Sequence, residues 1–190
     1  MMSPQIAIYA VWTIWALSWG LAAFWANRTV GEPARRSQLF YRVVTVAGVV
    51  LLFGINPREP AWPWRLWHAG PEFAWATVAL AALGFAFAWW ARLHLGRLWS
   101  SSVTKKAGHH VVDTGPYALV RHPIYTGIIA AAFAVFLLKG TLIALAGAAV
   151  MISGFYIKAR LEERFLRQEL GVDAYNAYAS RVAMLVPFIA

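Results

Sequence analysis

Gly115-Pro116-Tyr117-Ala118-Leu119-Val120-Arg121-His122-Pro123-Ile124-Tyr125-Thr126-Gly127 sets a guanidinium, an imidazole and a helix-starting proline at the mouth of a long apolar run. Pro123 suits the first turn of a helix, where its missing N–H has no intrahelical partner to lose. The apolar run behind it predicts a helix over 123–138. Charged groups at such a boundary are costly unless they are paired. A second polar cluster, Glu162 and Glu163, closes the next apolar run. Two ionisable clusters framing one hydrophobic hairpin are the pattern of a polar site held at a membrane edge.

The rest of the chain is read outward from that hairpin. The 190 residues are 61% hydrophobic and only 13% charged, whereas soluble domains run about 45–50% apolar and 25% charged. The predicted fold class is therefore all-α: a polytopic membrane protein with five transmembrane helices, at 6–26, 39–55, 73–93, 123–138 and 141–157. The first apolar stretch lacks a basic leader and is too long for a signal peptide, so it reads as a retained span. With no cysteine there is neither disulfide nor thiolate chemistry. No repeat or second domain is visible, and 1–190 reads as a single integral-membrane domain.

The formal charge of +9 invites a nucleic-acid partner, but the basic residues form no continuous patch and none is expected. They sit between apolar runs, as topology signals do. The first loop and its edges carry Arg28, Arg35, Arg36 and Arg42. The third loop and its edges carry Arg92, Arg97, Lys105, Lys106 and Arg121. The tail carries Lys158, Arg160, Arg164, Arg167 and Arg181, against Arg58, Arg65 and Lys139 on the other side. The positive-inside rule then puts the N-terminus outside and both the third loop and the tail in the cytoplasm. The two polar clusters share a side.

The helix over 123–138 spans about 24 Å at about 1.5 Å per residue, less than the roughly 30 Å of bilayer hydrocarbon. Either it begins below the headgroups or the loop before it dips inward. Gly127, Ala130, Ala131 and Ala134 are expected to face Gly147, Ala148 and Gly154 in a close-packed hairpin. After 157 the pattern turns amphipathic, with Leu161 and Phe165 set among Arg160, Arg164 and Arg167. The fifth helix is thus expected to continue into the cytoplasm and end at Gly171. Asp173 is expected to cap a further short helix carrying Tyr175 and Tyr178.

Arg121 and His122 lie at the positive end of the fourth helix, which favours an anionic group nearby. The plainer alternatives are that Arg121 reaches lipid phosphate, His122 only caps, and Tyr125 anchors at the interface. Glu162 and Glu163 point about 100° apart on a helix, so one faces a given pocket while the other pairs with Arg160 or Arg167. His109 and His110 are adjacent and converge poorly on one ion, and His94 and His122 complete no ligand spacing, so no metal is expected. No Gly-x-Gly-x-x-Gly, P-loop or nucleophile elbow is present.

Leu95-Gly96-Arg97-Leu98-Trp99-Ser100, Gly108-His109, Gly115-Pro116-Tyr117 and Arg121-His122-Pro123-Ile124-Tyr125-Thr126-Gly127 resemble the isoprenylcysteine carboxyl methyltransferase family. Glu162-Glu163, Gly171, Tyr175, Tyr178, Arg181-Val182 and Pro187-Phe188 follow in the same order and at family spacing. The match covers 95–188; the spans in 1–94 carry no diagnostic residue. Ala183 departs from the proline that often follows Arg-Val, and His110 falls at a variable position.

That resemblance implies a membrane-embedded methyltransferase using S-adenosylmethionine, converted to S-adenosylhomocysteine. It implies a cytoplasm-facing donor pocket lined by Gly108, His109, Gly115, Pro116, Tyr117, His122, Tyr125 and Glu162 or Glu163. The lipophilic or prenylated acceptor would arrive from the bilayer. Arg121 and Glu163 are the expected catalytic pair, with Arg121 holding an acceptor carboxylate in line with the methyl group. Carboxyl O-methylation of an isoprenylcysteine-like acceptor is favoured. Phospholipid N-methylation, phenolic O-methylation and small-thiol S-methylation remain open, with His109 or His122 as base for a phenol or thiol. A sterol-type reductase and a non-enzymatic membrane protein are the remoter alternatives.

Overall fold

Ser3 caps the first helix by accepting from the Ile6 amide at 3.3 Å, with Pro4 at the first helical position. The computed structural model describes residues 2–25, 29–31, 35–54, 64–100, 105–106 and 111–187. Among them are six α-helices: α1 (Pro4–Ala22), α2 (Arg35–Gly54), α3 (Pro71–Leu95), α4 (Pro123–Lys139), α5 (Leu142–Leu170) and α6 (Val172–Ala179). Four of these, α1, α2, α3 and α5, are long and apolar enough to cross a membrane, and α4 is a shorter apolar helix. Ile14, Leu17 and Leu21 of α1 and Val43, Val46 and Val50 of α2 stand exposed, as lipid-facing side chains do. A short antiparallel pairing of β1 (Thr29–Gly31) with β2 (Lys105–Lys106) adds a ribbon to the expected all-helical architecture.

The short helix α4 is the centre of the bundle. Residues from Pro123 to Leu138 are buried on nearly every side, which is the proper place for a helix that is apolar all round. Protein surrounds it, so it need not match the full hydrocarbon thickness. Its tightest contact is with α3: a Cβ placed on Gly84 would lie 2.5 Å from the Gly127 carbonyl oxygen. On α5, a Cβ on Gly147 would lie 2.5 Å from the Leu52 amide nitrogen, and one on Gly154 would run into Thr45. The small-residue faces of α4 and α5 therefore meet α3 and α2, not each other, which corrects the expected hairpin. Small residues mark a face that lets a backbone approach, and Gly84 and Gly48 on the other two helices supply the complementary faces.

Arg92, 0% exposed, ties two helix ends together. Its guanidinium donates to the Ala22 carbonyl at 2.8 Å and the Gly96 carbonyl at 2.7 Å, and sits 4.3 Å over the Trp99 ring. The fifth helix runs unbroken past 157 to Leu170 and stops at Gly171, whose φ is +98°. Gly171, not Asp173, is the N-cap of α6, and Asp173 sits in its first turn.

Candidate functional site

The backbone at the start of α4 is pinned before any side chain acts. The Arg121 and His122 amides donate to the Ala183 and Met184 carbonyls at 2.8 and 3.1 Å, and the Thr126 hydroxyl donates to Leu185 O at 2.7 Å. This two-residue pairing aims Arg121 and His122 at α5. Arg121 Nε donates to Glu163 Oε1 at 2.6 Å, while Nη1 donates to the Ala179 carbonyl at 2.8 Å and to Val182 O. His122 Nε2 lies 3.3 Å from Glu163 Oε1, and Nδ1 lies 3.8 Å from Glu162 Oε2. Its ring stacks on Tyr125 at 5.3 Å between centroids. The Tyr125 hydroxyl donates to Glu162 Oε2 at 2.6 Å.

The cationic corner opening α4 thus meets the acidic corner of α5. The two glutamates take different places in it. Glu163 is 1% exposed, with Arg121 and His122 on Oε1 and Arg167 Nη2 on Oε2 at 3.4 Å. Glu162 keeps 30% of its side chain accessible and faces a cavity.

That cavity measures about 260 Å³ and its lining is of two unlike kinds. Arg121, His122, Tyr125, Lys158 and Glu162 line it with polar groups, joined by Tyr117, Tyr175 and Tyr178. Trp15, Trp19, Leu98, Trp99, Ile128 and Phe155 line it with apolar surface. Glu163 is absent from the wall; it stands behind Arg121 and His122. Burial pushes the phenols of Tyr117, Tyr175 and Tyr178 well above the ordinary tyrosine range, reinforced at Tyr117 by the Glu162 charge. These phenols remain protonated donors, and Tyr178 gives its proton to Tyr117 O at 2.7 Å.

Gly115 and Pro116 build the turn that delivers Tyr117 and do not line the cavity themselves. Gly115 has φ +57°, and a Cβ there would come within 2.7 Å of the His94 ring. A side chain is excluded both by backbone conformation and by space. Gly108 and His109 lie outside the described residues.

Lys158, Trp15 and Trp19 are among the wall residues not picked out from sequence. Lys158 reads as one more topology-setting cation, yet its ammonium sits 5.0 Å over the Tyr125 ring and 5.6 Å over Tyr41. The signal available was its place four residues before Glu162, which puts both on the same helix face. Trp15 and Trp19 read as ordinary span residues, although Trp12, Trp15 and Trp19 recur at helical spacing and mark one inward face.

Known proteins share parts of this sequence. Residues 77–168 match the family described as isoprenylcysteine carboxyl methyltransferase (ICMT). The chain is also 28% identical over 180 residues to methanethiol S-methyltransferase 1 of Bradyrhizobium diazoefficiens, an alignment covering 86% of this chain. It spans 58% of that relative's length. Arg121, His122, Tyr125, Glu162 and Glu163 all fall inside the matched segment, over which the chain is similar to the isoprenylcysteine carboxyl methyltransferase family.

Proposed function

We propose that the chain is an integral-membrane methyltransferase that takes its methyl group from S-adenosylmethionine and passes it to a small lipophilic thiol. The cavity's mixed lining carries this reading: charged and phenolic groups suited to the donor share one small space with an aromatic wall. At about 260 Å³ it is small beside ligand sites of about 300–1,000 Å³. The relative named for methanethiol aligns with 86% of the chain, so that similarity extends well beyond 77–168. The Lys- and Arg-rich flanks favour a site on the cytoplasmic side, with the N-terminus outside.

The residues present fit the donor. Glu162 offers a carboxylate to its ammonium or ribose hydroxyls. Arg121 lines the cavity, and its Nη2 has no hydrogen-bond partner among the described residues, so it is available to the donor's carboxylate. The tyrosine faces suit a sulfonium by cation–π contact, worth about 0.5–2 kcal/mol. When bound, the donor supplies a methyl group on a positively charged sulfur, open to in-line displacement. Tyr125 holds Glu162 in place, and Glu163 is a positioning residue that fixes Arg121 and His122. The tryptophan wall excludes water from the reacting groups.

A thiol needs a base, since an ordinary cysteine thiol has a pKa of about 8.5. Donation of His122 Nε2–H to Glu163 leaves Nδ1 as the basic nitrogen, and Nδ1 takes the thiol proton. The resulting imidazolium lies between two carboxylates, 3.3 Å from Glu163 and 3.8 Å from Glu162. Held so, the thiolate would take the methyl group that a bound donor would supply, the donor's methyl–sulfonium bond giving way to the acceptor's sulfur–methyl bond.

Carboxyl O-methylation of an isoprenylcysteine-like acceptor is the second reading. Two cations in the wall, Arg121 and Lys158, favour a carboxylate, which is ionised at pH 7 and needs no base. Purified protein with methyl-labelled S-adenosylmethionine and either methanethiol or a farnesylated cysteine separates the two. The expected product is a base-stable labelled thioether, lost in His122→Ala. Release of labelled methanol on base treatment would instead establish a methyl ester. Absence of any product together with no binding of S-adenosylhomocysteine overturns the methyltransferase reading itself.

A further inference from the structure

We infer that Trp15 and Trp19 of α1 form the end wall of the acceptor subsite and set the upper limit on acceptor length. This rests on the methyl-transfer reading of the same cavity and assigns a role to a helix outside the 77–168 family segment. Most of α1 is turned to lipid, with Ile14, Leu17 and Leu21 exposed. Its inward stripe is aromatic, and two of its members reach the cavity.

Both indoles are fixed in place. Trp15 stacks flat on Phe85 of α3, 4.5 Å between centroids and 10° between planes. Trp19 meets Trp89 edge-on at 5.4 Å and Trp99 at 5.5 Å. Such pairs contribute about 0.5–1.5 kcal/mol each beyond the area they bury, so the wall does not swing aside freely.

Arg121 and His122, just before α4, and Glu162 of α5 supply the polar contacts suited to the donor. An acceptor whose sulfur is presented there must extend its carbon chain toward Trp15, Trp19 and Trp99. The indoles stand between that chain and the lipid-facing side of α1. A one- or two-carbon thiol fits in front of them; an isoprenoid tail does not. Truncating either indole would open the cavity toward the bilayer side of α1 and let longer chains in.

The test is kcat/KM across straight-chain thiols of increasing length for wild type, Trp15→Ala and Trp19→Ala, with S-adenosylhomocysteine affinity measured on each. Rejection of one extra methylene by a closed apolar pocket is worth about 10- to 200-fold. Wild type should show a drop of that order at the chain length that meets the wall. The alanine variants should move the drop to longer chains and raise the long-to-short ratio about tenfold or more, with donor-product affinity unchanged. An unchanged length profile in variants that still bind S-adenosylhomocysteine overturns the wall, as does wild-type turnover of a farnesylated acceptor. Wild type that binds S-adenosylhomocysteine but methylates no thiol overturns the acceptor assignment on which the wall depends. Where an alanine variant fails to bind S-adenosylhomocysteine, Trp15→Phe and Trp19→Phe keep a stacked ring of smaller size. They should show the same shift in reduced form, and no shift overturns the proposal.

Discussion

Replacing Glu163 by glutamine removes a buried negative charge while keeping the shape of the side chain. Glu163 is 1% exposed and takes Arg121 at 2.6 Å, His122 at 3.3 Å and Arg167 at 3.4 Å. Removing one partner of a buried ion pair costs about 3–5 kcal/mol, because the other charge is left uncompensated. Arg121 is 12% exposed and keeps two carbonyl acceptors, which places the loss near the low end, about 3 kcal/mol. At about 2–4 °C per kcal/mol for a chain of this size, the thermal midpoint in detergent should fall by about 6–12 °C. Glu162→Gln is the matched control. Its amide oxygen still accepts from Tyr125, so the midpoint should move little. Loss of a charge-assisted bond to the donor, about 1.5–3 kcal/mol, should instead weaken S-adenosylhomocysteine binding about 10- to 150-fold. Differential scanning fluorimetry and equilibrium binding on the same preparations read both quantities. A midpoint for Glu163→Gln equal to wild type, or an equal destabilisation by both variants, refutes the division of labour between the two carboxylates.

Tyr125→Phe removes the 2.6 Å bond that holds Glu162; at about 1 kcal/mol, S-adenosylhomocysteine binding should weaken about fivefold, checked by titration. Gly127→Val drives side-chain atoms into the Gly84 backbone, and overpacking of about 1–3 kcal/mol or more should lower the thermal midpoint and the yield of folded protein. The raised phenols of Tyr117, Tyr175 and Tyr178 make a pH prediction with a definite sign. Their folded pKa values lie above the unfolded value of about 10, so the stability they contribute is complete below pH ~10 and declines above it. Thermal midpoints measured from pH 8 to 12 should fall at the alkaline end, with a shallower fall in Tyr175→Phe.

The meeting of the two polar clusters was legible because each is tied to a helix end or helix face by local chemistry. Pro123 starts α4 one residue after His122, and Glu162-Glu163 lie on a helix whose amphipathic continuation announces itself in Leu161 and Phe165. Which glutamate faces the cavity was not legible. Their separation of about 100° requires a division, but the identity depends on where Arg121 arrives from α4. Helix partners were hidden for the same reason. Gly127 and Gly154 advertise faces that accept a backbone, while the choice of Gly84 and Thr45 as neighbours is a property of the assembled bundle. Lys158 and the α1 tryptophans have two plausible duties each, topology or site and lipid or cavity, and only tertiary placement separates them.

The carbonyls that receive the Arg121 side chain and the backbone of residues 121–122 come from Ala179, Val182, Ala183 and Met184. These positions follow α1 to α5 in chain order, so the ribosome makes the clamp for α4 after all five of those helices. During synthesis the guanidinium must wait, with Glu163 its sole described partner, until residues 179–184 have emerged and folded back. A ligand cradle whose clamp is translated after α1 to α5 gives a membrane protein that acquires its chemistry only once those helices have been made.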